Sequence, residues 1–269
     1  MSKFADIYGH EQIKEHLQNA IRLNKVSHAY IFNGPMGSGK KMTAGIFAET
    51  LQCERHGQEP CGTCHSCIQS ESGNQPDIIW VHHEKPGSIG VDDVREQVIG
   101  DMQIKPYSSR YKIYIIDEAE KLTQQAQNAL LKTIEEPPAY GIIILLTTNA
   151  DTFLQTILSR CVRLDFRPLR DTLVTQYLQE KYDLTDYECR FATAFAQGKI
   201  GRAVTIATSK EFAQLKEEVM HVIRYAKEMT TAEIMAEVKN IANYKLTIDD
   251  YLDLMAMWYR DVLVFKSTK

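Results

Sequence analysis

No run of apolar residues in this chain reaches the ~18 needed to cross a membrane, and its polar start, Met1-Ser2-Lys3, is no secretory leader. A cytoplasmic location without a membrane partner is expected. An excess of basic charge is missing too. Against 35 Asp and Glu stand 31 Lys and Arg, a formal net charge of −4, which argues against a strongly basic nucleic-acid binder. Any contact with DNA has to be local or shared with partners. Internal repeats and low-complexity tracts are absent. What remains is an ordinary globular composition, 44% apolar and 25% charged over 269 residues, long enough for two or three domains with their own cores.

Cysteine is scarce and unevenly placed. Cys53, Cys61, Cys64 and Cys67 cluster, while Cys161 and Cys189 stand apart. Four clustered cysteines in a reducing compartment point to a metal rather than to disulfides. Tetrahedral Zn²⁺ takes four soft ligands, and C-x2-C turns present them in pairs, so a closed structural Zn²⁺ site is expected. His56 and His65 lie in the same loop and are not needed as ligands. A disulfide knot or redox pair is the alternative.

The most telling absence is a single hydroxyl. Phe32-Asn33-Gly34-Pro35-Met36-Gly37-Ser38-Gly39-Lys40-Lys41 follows an apolar strand and opens a helix. The phosphate-loop pattern G-x-x-x-x-G-K-[ST] uses glycines so that backbone N–H groups can wrap phosphates, a lysine to meet them and a hydroxyl to ligate Mg²⁺. Gly34, Gly39 and Lys40 fit it, with Gly37 inside the loop, but Lys41 stands where the hydroxyl belongs. Phosphate or ATP binding stays open, whereas efficient Mg²⁺-dependent hydrolysis is argued against.

Apolar strands at Ala29–Asn33, Asp77–Val81, Lys112–Ile116, Ile142–Thr147 and Val162–Phe166 alternate with helices. That pattern predicts an α/β fold with a parallel sheet covered on both faces. Phe4–Gly9 reads as a short strand or turn, and Ile13, Leu17, Ala20 and Ile21 share one face of a helix. Val91–Gln103 reads as one helix. Thr123 caps another over Gln124–Glu136, which Pro137-Pro138 ends. Strands stop after Phe166; residues 170–208 form a small helical unit, and helices continue to the last residue. The stripes Phe191/Phe195 and Leu252/Met255/Tyr259 are expected in the core.

Asp117-Glu118 closes the third strand. In nucleotide hydrolases such a pair supports Mg²⁺ and polarises water, and its alternative is a helix cap. Thr147-Thr148-Asn149 ends the fourth strand, where α/β folds bind ligands. Arg160, in Ser159-Arg160-Cys161, is either a surface ion-pair residue or a finger reaching a neighbour's phosphate. Arg202, after Gly198 and Gly201, either contacts a phosphate or faces solvent.

Several runs together resemble the clamp-loader subunits of bacterial DNA polymerase III, in the AAA+ family. They are Ser27-His28-Ala29-Tyr30-Ile31-Phe32 before the phosphate loop, the four-cysteine insertion, Ile116-Asp117-Glu118-Ala119-Glu120-Lys121-Leu122, Asn128 through Pro138, and Ile157-Leu158-Ser159-Arg160-Cys161. The resemblance implies an AAA+ nucleotide-binding-like domain over 1–166 carrying the zinc module at 53–67. It also implies a helical lid over 167–208 and, over 209–269, the beginning of a longer helical collar. It makes Arg160 a finger acting in trans, Thr148 and Arg202 nucleotide sensors, and Ile7 and Tyr8 neighbours of the adenine. The implied partners are the tau/gamma motor and delta subunits of a five-subunit ring, with the sliding clamp and primed DNA reached through the assembly. Within the family Lys41 favours the delta-prime kind, a stator with weak or absent ATPase inside a DNA-directed DNA polymerase (nucleotidyltransferase) assembly. The rival readings are an active motor ATPase and a zinc-containing DNA-binding adaptor with a vestigial nucleotide site.

Overall fold

A computed structural model describes residues 2–83, 86–225, 228–231, 233, 235–236, 239 and 248–267. The chain divides into two compact units, Met1–Pro168 and Leu169–Lys269.

The first unit is built on five parallel strands: β1 (Ala29–Asn33), β2 (Ile78–Val81), β3 (Lys112–Ile116), β4 (Gly141–Thr147) and β5 (Val162–Asp165), in the order β2-β3-β4-β1-β5. Side chains alternate across the sheet as the pleat requires. Ala29, Ile31, Tyr114, Ile116, Ile143 and Leu145 enter one core; Tyr30, Phe32, Ile113, Ile115, Ile142 and Ile144 enter the other. β4 is buried at every position, the signature of a central strand covered on both faces.

Helices α1 (Glu11–Arg22) and α2 (Lys40–Gln52) cover the second core, and α3 (His65–Glu71) follows in the cysteine loop. On the other face lie α4 (Val91–Val94), α5 (Gln124–Glu135) and α6 (Gln155–Leu158). Thr123 caps α5 by accepting from Ala126 N, as its sequence position suggests.

Of the strand or turn expected over Phe4–Gly9, the turn forms, as a 3-10 turn over Phe4–Asp6. Val91–Gln103 is helical but not uniform, because a wider π turn over Arg95–Gly100 and a 3-10 turn over Asp101–Gln103 follow α4. Val94, Val98 and Met102, all buried, are spaced by four. In an α-helix of 3.6 residues per turn that spacing drifts by about 40° per step, and the wider turn offsets the drift.

Asp77, 1% exposed, fixes the loop before β3. Its carboxylate accepts from the backbone N–H groups of Tyr107 (2.7 Å), Ser108 (2.9 Å) and Ser109 (3.0 Å) and from the Ser108 hydroxyl (3.3 Å). Asp77→Ala strands these donors and is expected to cost about 3 kcal/mol, read as a lower urea midpoint at unchanged slope.

The second unit is helical: α7 (Asp171–Lys181), α8 (Asp186–Ala196), α9 (Ile200–Thr208), α10 (Lys210–Tyr225) and α11 (Ile248–Ser267). Phe195 joins its core, with Phe191 packed against it. On α11 the inward residues are Tyr251 and Leu254, with Met255 packed alongside, while Leu252 and Tyr259 are exposed. The expected Leu252/Met255/Tyr259 stripe is therefore out of register, because the i, i+3 pair 251/254 faces inward instead. Of the expected 209–269 helices, residues 226–227, 232, 234, 237–238, 240–247 and 268–269 lie outside the described ones.

Candidate functional site

The phosphate loop leaves the carboxyl end of β1 between β4 and β5, the place where the strand order reverses and α/β sheets bind ligands. Gly37 (φ 77°) and Gly39 (φ 94°) adopt left-handed backbone open to glycine at little cost. At Gly34 the need is room, since a Cβ there would lie 2.3 Å from Phe166 O. α2 begins at Lys40, so the loop ends on a helix N-terminus. The Lys40 ammonium donates to the carbonyls of Gly34 and Pro35. Burial holds its pKa below the usual lysine value, against the opposing pull of Glu120 and Asp117. The Ser38 hydroxyl is buried without a hydrogen-bond partner among the described residues.

Lys41 does not hang free. Its ammonium lies 3.1 Å from Asp117 Oδ2 and over the Trp80 ring at 5.2 Å from the centroid. Asp117 Oδ1 accepts from Glu118 N. Glu118 takes a left-handed backbone (φ 49°) and meets Lys121 Nζ at 2.7 Å and His83 Nε2 at 3.7 Å. Thr148, at the end of β4, donates through its hydroxyl (2.6 Å) and its N–H (3.2 Å) to Glu120. Burial pushes the Glu120 carboxyl up, but these hydrogen bonds outweigh it and leave the pKa below the usual range. The carboxylates around the loop are thus answered by cations or donors of the chain itself.

Ile7 is buried and Tyr8 half-buried, just ahead of α1. Lys14 Nζ donates to Ile7 O at 2.9 Å. Two residues on, His10 Nε2 lies 3.1 Å from Ser38 O, and its ring packs 4.8 Å from that of Phe166. Burial lowers the His10 pKa. The segment holding Ile7 and Tyr8 is therefore tied to the phosphate loop.

Arg160 follows α6 with its side chain 40% exposed. It pairs with Glu135 of α5 at 3.0 Å and donates to Thr156 O and the Ser159 hydroxyl. Arg202, in the first turn of α9, pairs with Asp250 (2.9 Å) and Asp253 (3.0 Å) of α11 and lies 4.8 Å over the Phe195 ring.

The cysteines converge as their spacing suggests. The four Sγ atoms of Cys53, Cys61, Cys64 and Cys67 lie within 4.8 Å of one another, with Cys61 to Cys67 at 3.9 Å. Four sulfurs at ~2.3 Å from a central ion would sit about 3.8 Å apart, so the cluster can hold a tetrahedral metal. Cys53 ends α2; Cys64 caps α3 and Cys67 lies in its first turn. Backbone N–H groups of Cys64 and Cys67 donate to the sulfurs of Cys61 and Cys64. The backbone near Thr63 holds the Cys61 thiol down to about 5, and burial pushes Cys53 and Cys67 up. Glu59 pins the loop by accepting from Phe4 N (2.7 Å) and Gln18 Nε2 (3.1 Å).

Sequence reasoning missed Glu120, Lys121, His83 and Trp80 as members of the site. Glu120 and Lys121 stood in the quoted run after Asp117-Glu118, where alternating charge was the available signal. His83 and Trp80 lie at and just beyond the end of β2 and carried none.

Comparison with known proteins gives one consistent answer. Residues 9–170 match the family described as "DNA polymerase III, delta subunit". The chain is 38% identical over 210 residues to the tau/gamma subunit of DNA polymerase III from Haemophilus influenzae, covering 76% of this chain and 30% of that protein. It is 32% identical over 251 residues to the delta-prime subunit from Bacillus subtilis, covering 92% of this chain and 75% of that protein. The chain thus spans about a third of the length of the tau and tau/gamma relatives. In fold it is similar to a gamma-subunit-related protein of Thermotoga maritima, with a TM-score of 0.53, 22% identity and coverage of 88% of this chain and 69% of that one. It is also similar to a RuvB mutant of the same organism, with a TM-score of 0.50, 15% identity and coverage of 81% and 65%.

Proposed function

The chain belongs to the DNA polymerase III delta-subunit family, and from that premise we propose that it acts as a clamp-loader subunit of the delta-prime kind. It would be a stator with little or no ATPase of its own, helping a tau/gamma motor and a delta subunit place the sliding clamp on primed DNA. The observation that carries this reading is the ion pair between Lys41 and Asp117. The loop hydroxyl and the strand-end aspartate are the groups that hold Mg²⁺ in phosphate-loop hydrolases. Here the first is replaced by an ammonium and the second is bonded to it. Glu118, which would orient water, is bound by Lys121. Thr148, the proposed sensor, is bound by Glu120. Arg202 would act as a lid sensor only after leaving Asp250 and Asp253.

In this reading residues 1–166 are the AAA+ domain, 167–208 its lid and 209–269 the collar portion. Arg160 would reach a neighbouring subunit's nucleotide. The cysteine cluster would hold one structural Zn²⁺, since four protein thiolates close the coordination shell and leave no open position for chemistry.

Mixing tests the assignment. The chain alone is expected to show no Mg²⁺-dependent ATP turnover, and adding it to the tau/gamma and delta subunits is expected to raise the motor's rate. Robust turnover by the chain alone would make it a motor and overturn the stator reading.

A further inference from the structure

A phosphate chain bound at a P-loop is normally screened by a divalent cation, held between the loop hydroxyl and the strand-end aspartate. This site contains neither a hydroxyl at position 41 nor a free Asp117 carboxylate. It contains two adjacent ammonium groups, Lys40 and Lys41, at the head of α2. Lys40 is 9% exposed and turned onto loop carbonyls. The Lys41 side chain is 69% exposed and anchored only at its tip, by Asp117 and the face of Trp80. Its stem is therefore able to pivot from the carboxylate to an anion in the loop mouth.

An ammonium has three donors and no lone pair, so Lys41 cannot ligate a metal. Mg²⁺ demands near-octahedral oxygen ligands and gives up its waters reluctantly. Brought to Asp117, it would have to displace a tethered cation and then sit beside it. The residues present do not fit Mg²⁺, yet the anion cradle survives intact. Gly37 and Gly39 keep the left-handed backbone of an anion-binding loop, and the loop still ends on a helix N-terminus.

We propose that the phosphate loop binds a polyphosphate chain free of Mg²⁺, with the Lys41 ammonium serving as its resident cation. This deepens, and rests on, the reading of the loop as a site that does not hydrolyse. The Lys41–Asp117 contact is then a resting pair, exchanged for Lys41–phosphate when the anion arrives. Asp117 competes with the ligand for Lys41 instead of recruiting metal for it. That reverses the sign of the effect expected from removing this carboxylate.

Calorimetric titration of the whole chain with ATP, ADP and inorganic tripolyphosphate, in EDTA and in millimolar Mg²⁺, tests this. The wild type is expected to bind at least as tightly in EDTA as in Mg²⁺. Asp117→Asn is expected to tighten binding in EDTA several-fold. Lys41→Thr is expected to restore metal dependence, binding about tenfold more tightly with Mg²⁺ than without. Because Lys41 is largely exposed, its replacement leaves the fold in place, which a thermal melt checks. Equal affinity for tripolyphosphate and the nucleotides supports the proposal with a free polyphosphate as ligand; tighter nucleotide binding supports it with a nucleotide. Wild-type binding that needs Mg²⁺, or that weakens in Asp117→Asn, overturns it. Absence of binding by every anion in both conditions also overturns it. That last result leaves the stator role standing on its own test, the stimulation of a motor subunit.

Discussion

Arg160→Ala, in a loader assembled with tau/gamma and delta subunits, is expected to slow hydrolysis at the site it serves by roughly 10³-fold or more, the scale seen when arginine fingers are removed. The total steady-state rate then falls by that site's share, and further if the sites fire in order. Local geometry makes the test clean. Arg160 and its partner Glu135 are about 40% exposed each, and a pair of that kind contributes about 0–1 kcal/mol. Its removal leaves the first unit folded, so size-exclusion chromatography should still show the full assembly. Arg160→Lys is expected to recover little, because an ammonium lacks the planar fork that grips phosphate oxygens. An unchanged ATPase in Arg160→Ala would reduce the arginine to the surface ion pair it forms in the free chain.

The second large effect concerns the cysteine cluster. Metal analysis is expected to return one Zn²⁺ per chain, and chelation to lower stability by about 4 kcal/mol when metal had been a thousandfold above its dissociation constant. For a chain of this size that corresponds to roughly 8–16 °C in melting midpoint, read by calorimetry. Cys67→Ser should reproduce the loss without chelator and abolish the response to added Zn²⁺. The damage should travel along α2, since Cys53 ends the helix that Lys40 begins. A chain whose melting is indifferent to chelator, with no bound metal, would return the cluster to four free thiols, two of them buried.

What could be read from sequence was local. Strands β1, β3 and β4 were visible as apolar runs because both of their faces are buried. The cysteine cluster followed from C-x2-C spacing, and the substitution at Lys41 from the loop pattern. What could not be read depends on residues brought together from distant segments. Glu120 meets Thr148 across 28 positions, and Arg202 meets Asp250 across 48. Asp77 gathers the backbone of residues 30 or more positions away. No periodicity announces such pairs, because the topology makes them. The π turn at Arg95–Gly100 was illegible for another reason: it answers a mismatch between buried spacing and helical pitch that appears only once the core is assembled.

The strand order has a consequence in time. β1 pairs with neither of the strands made soon after it; its partners are β4 and β5, with Ala29 opposite Ile143 and Tyr30 opposite Val162. Synthesis at about 5–20 residues per second puts roughly 7–27 s between the making of the phosphate-loop strand and the arrival of its last neighbour. Until β4 is made both edges of an apolar strand wait without partners, and one edge waits further until β5 follows. Loop closure over more than a hundred residues must also precede any reward from pairing, which makes this a slow-folding topology. Protection of the nascent chain from aggregation is therefore a requirement set by the same strand order that places the phosphate loop between β4 and β5.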